Sequence, residues 1–357
     1  MKIIYGVCSW GLGHATRSLP VIRALIDENH DLTIISHDRA LTLLQNELGD
    51  TVTYEDIPDY PMLLSENARQ FLAKSTIYWP VFIHRIEQGL TRLNAILKTH
   101  PTNAIISDGR YDMYSKHIPS FFISHQIRIM NPLRIKMFER GSERFNQFFF
   151  NRFSDIIVPD TKTDNLSGDL SHNLKLIDEN TLHYVGPLSD FKKKRLKKNI
   201  DYLISLSGPE PQRTMLEDKI LAQLHDLPGT IAITQGKTET TTTTTHDNIT
   251  TYTSVDRNTR ENLLNKAKLV IARSGYTTIM DLAVIGTQAL LIPTPGQIEQ
   301  EYLASYHHAT GHYATATQQT LDLTRDLDAI HATTGIKHTQ PVSVTIANIL
   351  EIITERT

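Results

Sequence analysis

RSGYTTIMDLAVIGTQALLIPTPGQIEQEYLA, residues 273–304, decides the reading of this chain. The apolar, β-branched run before it, Lys268–Ala272 (KLVIA), reads as a buried parallel strand. Gly275 then lets the chain turn sharply, and Ser274, Thr277 and Thr278 are capping residues for the helix that follows. A helix N-terminus behind a glycine turn offers N–H groups and the positive end of a dipole, a ready site for phosphate. Asp281 stands about one turn further in, where a carboxylate can accept from vicinal hydroxyls such as those of a ribose. A second strand, Gln288–Pro293 (QALLIP), ends at TPGQIEQ and puts Glu299 and Gln300 at the start of another helix. These groups fall at strand C-termini, where open α/β sheets bind ligands. A cap and a turn would account for Ser-Gly-x-Thr alone; the two adjacent units together favour a nucleotide site.

The chain opens with a similar unit. Lys2–Ser9 (KIIYGVCS) is a short apolar strand, helical periodicity runs through Leu19, Ile22, Leu25 and Ile26, and Asp31–Ser36 (DLTIIS) is a second strand. Between strand and helix lies Gly11-x-Gly13-His14-x-x-Arg17. The dinucleotide fingerprint needs a third glycine where Thr16 stands, and His37 rather than an acid follows the second strand, so an NAD site is disfavoured. Glycines here let backbone approach a substrate closely, and a neutral His14 can take a proton from an attacking hydroxyl. A histidine that merely caps or packs is the alternative. Arg17 either faces an anionic acceptor or is solvated.

The 273–304 stretch resembles the donor-binding segment of GT-B glycosyltransferases, in particular those related to the N-acetylglucosaminyltransferase of peptidoglycan lipid synthesis. The matching positions are Ser274, Gly275, Thr278, Asp281, Pro293, Gln300 and Ala304, with Asp281 where better-known relatives carry Glu. The resemblance implies that the diphosphate meets the Ser274–Thr278 turn (Tyr276 and Thr277 included), Asp281 the ribose, and Glu299 with Gln300 the sugar. The Gly11–Arg17 loop resembles the Gly-His loop of the same enzymes, which implies an acceptor site at Gly11, Gly13, His14 and Arg17. In plant-type relatives an aspartate orients the catalytic histidine; the resemblance gives that role to Asp108, at the end of the strand Asn103–Ser107, against an Asp that only closes a turn with Gly109. His125, after Ser120–Ser124 (SFFIS), is a candidate acceptor contact or an idle loop residue.

Further along, a helical pattern covers Asn67–Lys98, with a break expected at Pro80. Arg128–Phe153 interleaves basic residues with phenylalanines; a helix whose aromatics are core is the first reading, and contact with an anionic membrane the second. Asp155–Pro159 reads as a strand, and the basic run Phe191–Asn199 as a solvated linker at a domain boundary. A second β–α alternation then begins at Asp201–Ser207, and the resemblance makes Ser207, Gly208 and Arg213 candidate donor contacts. Gly229–Thr234 is a strand, and the Thr-rich 236–248 a low-complexity loop to which no function attaches. Ile249–Ser254 should end where the family reads the nucleotide base, near Ser254 and Val255. His307, His308 and His312 lack a companion Cys or a carboxylate at ligand spacing, so no metal site is expected; Asp326 and Asp328 read as surface.

With 357 residues and 40% hydrophobic content the chain can bury two cores. A net charge of −3 gives no pull toward nucleic acid, and a single cysteine, Cys8, excludes a disulfide framework. The expectation is an α/β protein of the GT-B fold: two Rossmann-like domains with parallel sheets facing a central cleft. Residues 1–190 form the acceptor domain and 200–340 the nucleotide-sugar domain, with the helix 341–357 packing back on the first. The expected activity is inverting, metal- and cofactor-independent transfer of a hexose or N-acetylhexosamine from a nucleoside diphosphate sugar, UDP-linked, to an acceptor hydroxyl of a glycan or lipid-linked molecule. Cell-envelope or surface glycan synthesis in the cytoplasm, peripheral at the inner membrane face, is the matching setting. The rivals are a UDP-N-acetylglucosamine 2-epimerase and a non-catalytic sugar-nucleotide binder.

Overall fold

The computed structural model describes residues 1–60, 68–131, 133–237, 241–336 and 340–357, and the side chains of 68–77 and 226 are not described. The chain divides into two compact units, Met1–Asp190 with Gln340–Thr357, and Phe191–Thr339.

In the first unit the elements are β1 (Lys2–Val7), α1 (Gly13–Asp27), β2 (Asp31–Ser36), α2 (Asp38–Leu48), β3 (Thr53–Asp56), α3 (Ala68–Thr99), β4 (Ala104–Asp108), β5 (Ser120–Ile123), α4 (Lys136–Phe150), β6 (Asp155–Val158) and β7 (Leu182–Tyr184). The described strands form one seven-stranded sheet in the order β3-β2-β1-β4-β5-β6-β7, parallel throughout. Central strands are buried on both faces, as the continuous Ile-rich runs require. Two short strands, β3 and β7, escape the sequence reading because neither is a sustained apolar run. α3 continues through Pro80 instead of breaking there. That proline is exposed, so water can satisfy the carbonyl its missing N–H releases. Asn67, the expected start of this helix, lies outside the described residues.

The second unit holds β8 (Ile200–Ser205), α5 (Gln212–Leu221), β9 (Ile231–Thr234), β10 (Thr243–His246), β11 (Ile249–Tyr252), α6 (Arg257–Lys266), β12 (Ala267–Ala272), α7 (Tyr276–Ile285), β13 (Gln288–Leu291), α8 (Ile298–Ala309), β14 (Ala314–Thr315) and α9 (Leu323–Asp328). Its described strands order as β10-β11-β9-β8-β12-β13-β14, parallel except for the β10–β11 hairpin. Isoleucines and leucines of β8, β9, β12 and β13 pack against Leu216 and Ile220 of α5 in the core.

Two expectations change here. The Thr-rich stretch contributes an edge strand, β10, since β-branched Thr suits extended backbone and Asp247, at φ 52°, turns the hairpin; 238–240 lie outside the described residues. The basic run is exposed over 192–199, with Phe191 buried, but it is anchored rather than merely solvated. Lys192 N–H donates to Glu261 (2.8 Å), Lys194 N–H to Asn265 (2.7 Å), and Lys198 Nζ to Ala267 O (2.6 Å). The final helix, α10 (Val342–Arg356), is part of the first unit, where Arg356 pairs with Asp155 at 2.9 Å.

Candidate active site

In the first unit β1 and β4 run side by side with Val7 opposite Asp108, so the loop leading into α1 leaves the sheet edge that Asp108 closes. His14, in the first turn of α1, brings its Nδ1 to 2.8 Å from Asp108 Oδ1. Asp108 is fully buried and densely partnered. Arg17 Nε lies 2.9 Å from its Oδ2, Arg17 Nη2 bonds Oδ1, and the Ser18 hydroxyl donates to Oδ2 at 2.8 Å. Burial alone would raise this carboxyl; the charges and hydrogen bonds of Arg17 and His14 outweigh it and hold it well below the ordinary carboxylate range.

Arg17 is therefore not at the surface. It is 2% exposed, and besides Asp108 it donates through Nη1 to Nδ1 of the buried His125 at 2.9 Å. A buried carboxylate demands a counter-charge, and Arg17, one turn after His14, supplies it. Sequence reasoning missed Ser18 and gave Gly109 only a turn. At φ 74°, Gly109 faces His14 so closely that a Cβ there would sit 2.7 Å from the ring Cε1. The Gly11-containing loop is fixed from β3's side: Ser9 N–H and Oγ both reach Asp59 at 2.6 Å, and Trp10 Nε1 donates to Tyr60 O at 2.7 Å. Gly11, at φ 72°, is exposed, while Gly13 and His14 are half-buried.

In the second unit β8, β12 and β13 end level, Ala272 standing beside both Ser205 and Leu291. Tyr252 of β11 stands beside Thr234 of β9 and Thr234 beside Ser205, so the loops bearing Ser207, Ser254, Ser274 and Thr294 leave one sheet edge. Gly275 is the N-cap of α7, and buried Ser274 donates to Gln300 O at 2.8 Å. Gln300 also receives the Thr294 N–H on Oε1 at 2.8 Å, so it ties the two loops together. Tyr276 and Asp281 are buried, Thr277, Thr278 and Glu299 half-buried, Ser207 and Gly208 exposed, and Ser254 and Val255 half-buried. Arg213 is committed within the protein, bonding Glu210 and lying 2.8 Å from Glu217 and 3.2 Å from Gln235 O. Asp326, read as surface, turns inward and accepts the Asp322 N–H at 2.9 Å.

The residue the sequence reading passed over is Arg273. Its guanidinium is 1% exposed and bonds Gln212 O (2.8 Å), Pro293 O (3.1 Å) and Gln318 Oε1 (2.7 Å), all of them uncharged. Burial lowers its pKa to about 10. Among the described residues Arg273 Nε and the buried Thr294 Oγ1 have no hydrogen-bond partner. Both stand beside Gly208, at φ 107°, where a Cβ would meet Thr294 Oγ1 at 3.5 Å and Arg273 Nε at 3.8 Å. Two buried donors without acceptors are costly, and Arg273 precedes the first residue of α7 by three. The arrangement suits an anion.

The two seven-stranded, largely parallel sheets are those of the GT-B fold. Residues 1–110 match the model described as Glycosyl transferase family 1, and residues 212–332 that of the Glycosyltransferase family 28 C-terminal domain. A solved structure of Acinetobacter baumannii MurG superposes with TM-score 0.61 at 13% identity, covering 99% of each chain. An uncharacterized glycosyltransferase of Methanosarcina mazei is 22% identical over 92% of this chain and 90% of its own length. A UDP-N-acetylglucosamine–N-acetylmuramyl-(pentapeptide) pyrophosphoryl-undecaprenol N-acetylglucosamine transferase of Methylobacterium sp. is 51% identical over 39 residues, 11% of this chain and only 10% of that protein. The chain is thus a GT-B glycosyltransferase related to family 28.

Proposed function

We propose that this protein moves a hexose or N-acetylhexosamine from a UDP-linked sugar to an acceptor hydroxyl with inversion, in a single displacement. The observation that carries the reading is the pair of buried, unpartnered donors, Arg273 Nε and Thr294 Oγ1, beside Gly208, with Arg273 three residues ahead of α7. A diphosphate supplies the acceptors they lack, and the same donors stabilise it as it leaves. Asp281 then takes the ribose hydroxyls, Ser254 and Val255 adjoin the base, and Glu299 with Gln300 adjoins the sugar. In the first unit His14 accepts the acceptor's proton on Nε2 as the hydroxyl oxygen bonds the anomeric carbon. The sugar–phosphate bond breaks with its electron pair passing to the diphosphate. His14 with its carboxylate favours transfer over epimerisation, and the UDP-N-acetylglucosamine named for the Methylobacterium protein supports the choice of donor.

Thermal-shift binding across UDP-, GDP- and dTDP-sugars, repeated on Asp281→Ala, tests this. A UDP-sugar at a hundred times its dissociation constant stabilises by about 2.7 kcal/mol, and the variant loses that response. No response to any sugar nucleotide sinks the reading.

A lipid-linked acceptor, as in envelope glycan synthesis, fits α4. Phe149 and Phe150 are core, but Met137 (71% exposed), Phe138 and Phe148 face solvent. Glu139 and Glu143 turn inward to Arg134 (2.9 Å) and Arg128 (2.5 Å), leaving Lys136, Arg140 and Arg144 beside the exposed apolar residues. This combination suits an anionic membrane surface, and among the described residues no helix is long and apolar enough to cross one. Cosedimentation with anionic but not neutral vesicles, lost in a Met137→Ser/Phe148→Ser variant, is the expected result; equal recovery with both vesicle types contradicts it.

A further inference from the structure

We propose that Arg17 is a positioning residue for His14: it holds and balances Asp108, so that the carboxylate keeps the proton on the ring's Nδ1 without trapping a second proton on Nε2. The inference rests on the reading of His14 as the base. His14 Nδ1 lies between two groups, 2.8 Å from Asp108 Oδ1 and 3.0 Å from Arg17 Nη2. An ionised carboxylate only accepts and a guanidinium only donates, so one of these contacts is a hydrogen bond and the other is not. Arg17 Nη2 already donates to Asp108 Oδ1, and the carboxylate contact is the shorter. The proton therefore sits on His14 Nδ1, directed at Asp108, and Nε2 carries the lone pair that a base needs.

The same contact sets the ring's charge balance. Once Nε2 takes a proton, the imidazolium stands beside the guanidinium, and the two cations share one carboxylate. Without Arg17, Asp108 would act on the imidazolium unopposed and hold the proton after transfer. The other groups around the carboxylate do not change this. Ser18 on α1 is a neutral donor to Oδ2. Burial pushes the Tyr5 hydroxyl of β1 and the Cys8 thiol up, keeping both neutral. His125 accepts from Arg17 through Nδ1. Arg110, after β4, is spent on Asp112 at 2.6 Å. Arg17 is the cation that balances Asp108, and its fork between Asp108 and His125 fixes where that charge lies.

The test is a long-range ¹H–¹⁵N titration of histidine-labelled full-length protein, with His14→Gln to assign the ring. Wild type is expected to show the Nδ1–H tautomer. Arg17→Met raises the His14 midpoint by about one pH unit or more, the size of removing a like charge at contact distance. Arg17→Lys, keeping the charge but not the fork, shifts it less. An Nε2–H tautomer in wild type overturns the proposal even if Arg17→Met does not fold. So does an unmoved midpoint in a folded Arg17→Met. Neither readout needs a substrate, so failure to bind a sugar nucleotide would sink the proposed function while leaving this result standing.

Discussion

His14 and Asp108, 94 residues apart, meet with Nδ1 2.8 Å from Oδ1 because β1 and β4 are neighbours in the sheet. In the proposed reaction the pair orients a base, and it sits on a buried charge network. Two variants separate these roles. His14→Ala removes a half-buried ring and should cut kcat by about 10²–10⁴-fold with donor binding and melting temperature nearly intact. Asp108→Asn also strands the buried Arg17 cation and should cost about 3–5 kcal/mol of stability besides. Steady-state kinetics beside chemical denaturation read both; equal stability losses would refute the division of roles.

Gly109→Ala tests the packing behind His14. The new methyl faces the ring at 2.7 Å and the residue must keep φ 74°, a backbone cost of about 1–3 kcal/mol. The His14 ring must move, so turnover falls more than donor affinity does. A variant with wild-type turnover would mean that the ring's position is not critical.

Asp108 also ties stability to pH. Its carboxyl is depressed on folding, so the unfolded chain binds the proton more tightly. Its contribution is complete above the unfolded value of about 4 and is lost as pH falls below that toward the folded value. Urea midpoints of wild type and Asp108→Asn should therefore differ most at neutral pH and converge below about pH 4. A gap that does not change with pH would mean that Asp108 is not held ionised.

Thr294→Val separates ligand binding from folding. The hydroxyl is buried and unpartnered, so replacing it with a methyl should stabilise the ligand-free protein or leave it unchanged, by up to about 1 kcal/mol. The same change should weaken UDP-sugar binding by about tenfold, the cost of one lost hydrogen bond of 1.4 kcal/mol. Calorimetric titration with melting curves checks both; unchanged affinity would remove Thr294 from the diphosphate site.

The parallel strands were legible because buried parallel strands are continuous apolar runs: Asp31–Ser36 matches β2 to the residue, and Lys268–Ala272 matches β12 within one. Short or polar strands were not. β3 (TYED) carries no apolar run to mark it, and β10 lies in a threonine tract whose edge strand depends on pairing with β11. At the sites, motif spacing picked out residues but not the direction in which they point. Arg17 and Arg213 are both cations near glycine loops, and both turn inward to carboxylates that sequence order does not reveal. Arg273 was invisible for the opposite reason: its partners are uncharged groups contributed by residues 212, 292, 293 and 318.

The most direct test of transfer is to follow UDP-N-acetylglucosamine, an α-linked donor, by ¹H NMR with enzyme and no added acceptor, so that water takes the acceptor's place. The account predicts slow release of UDP with the β-anomer of the free sugar appearing first, and loss of that turnover in His14→Ala. Initial release of the α-anomer, or conversion of the nucleotide sugar to its 2-epimer without release of UDP, would contradict it.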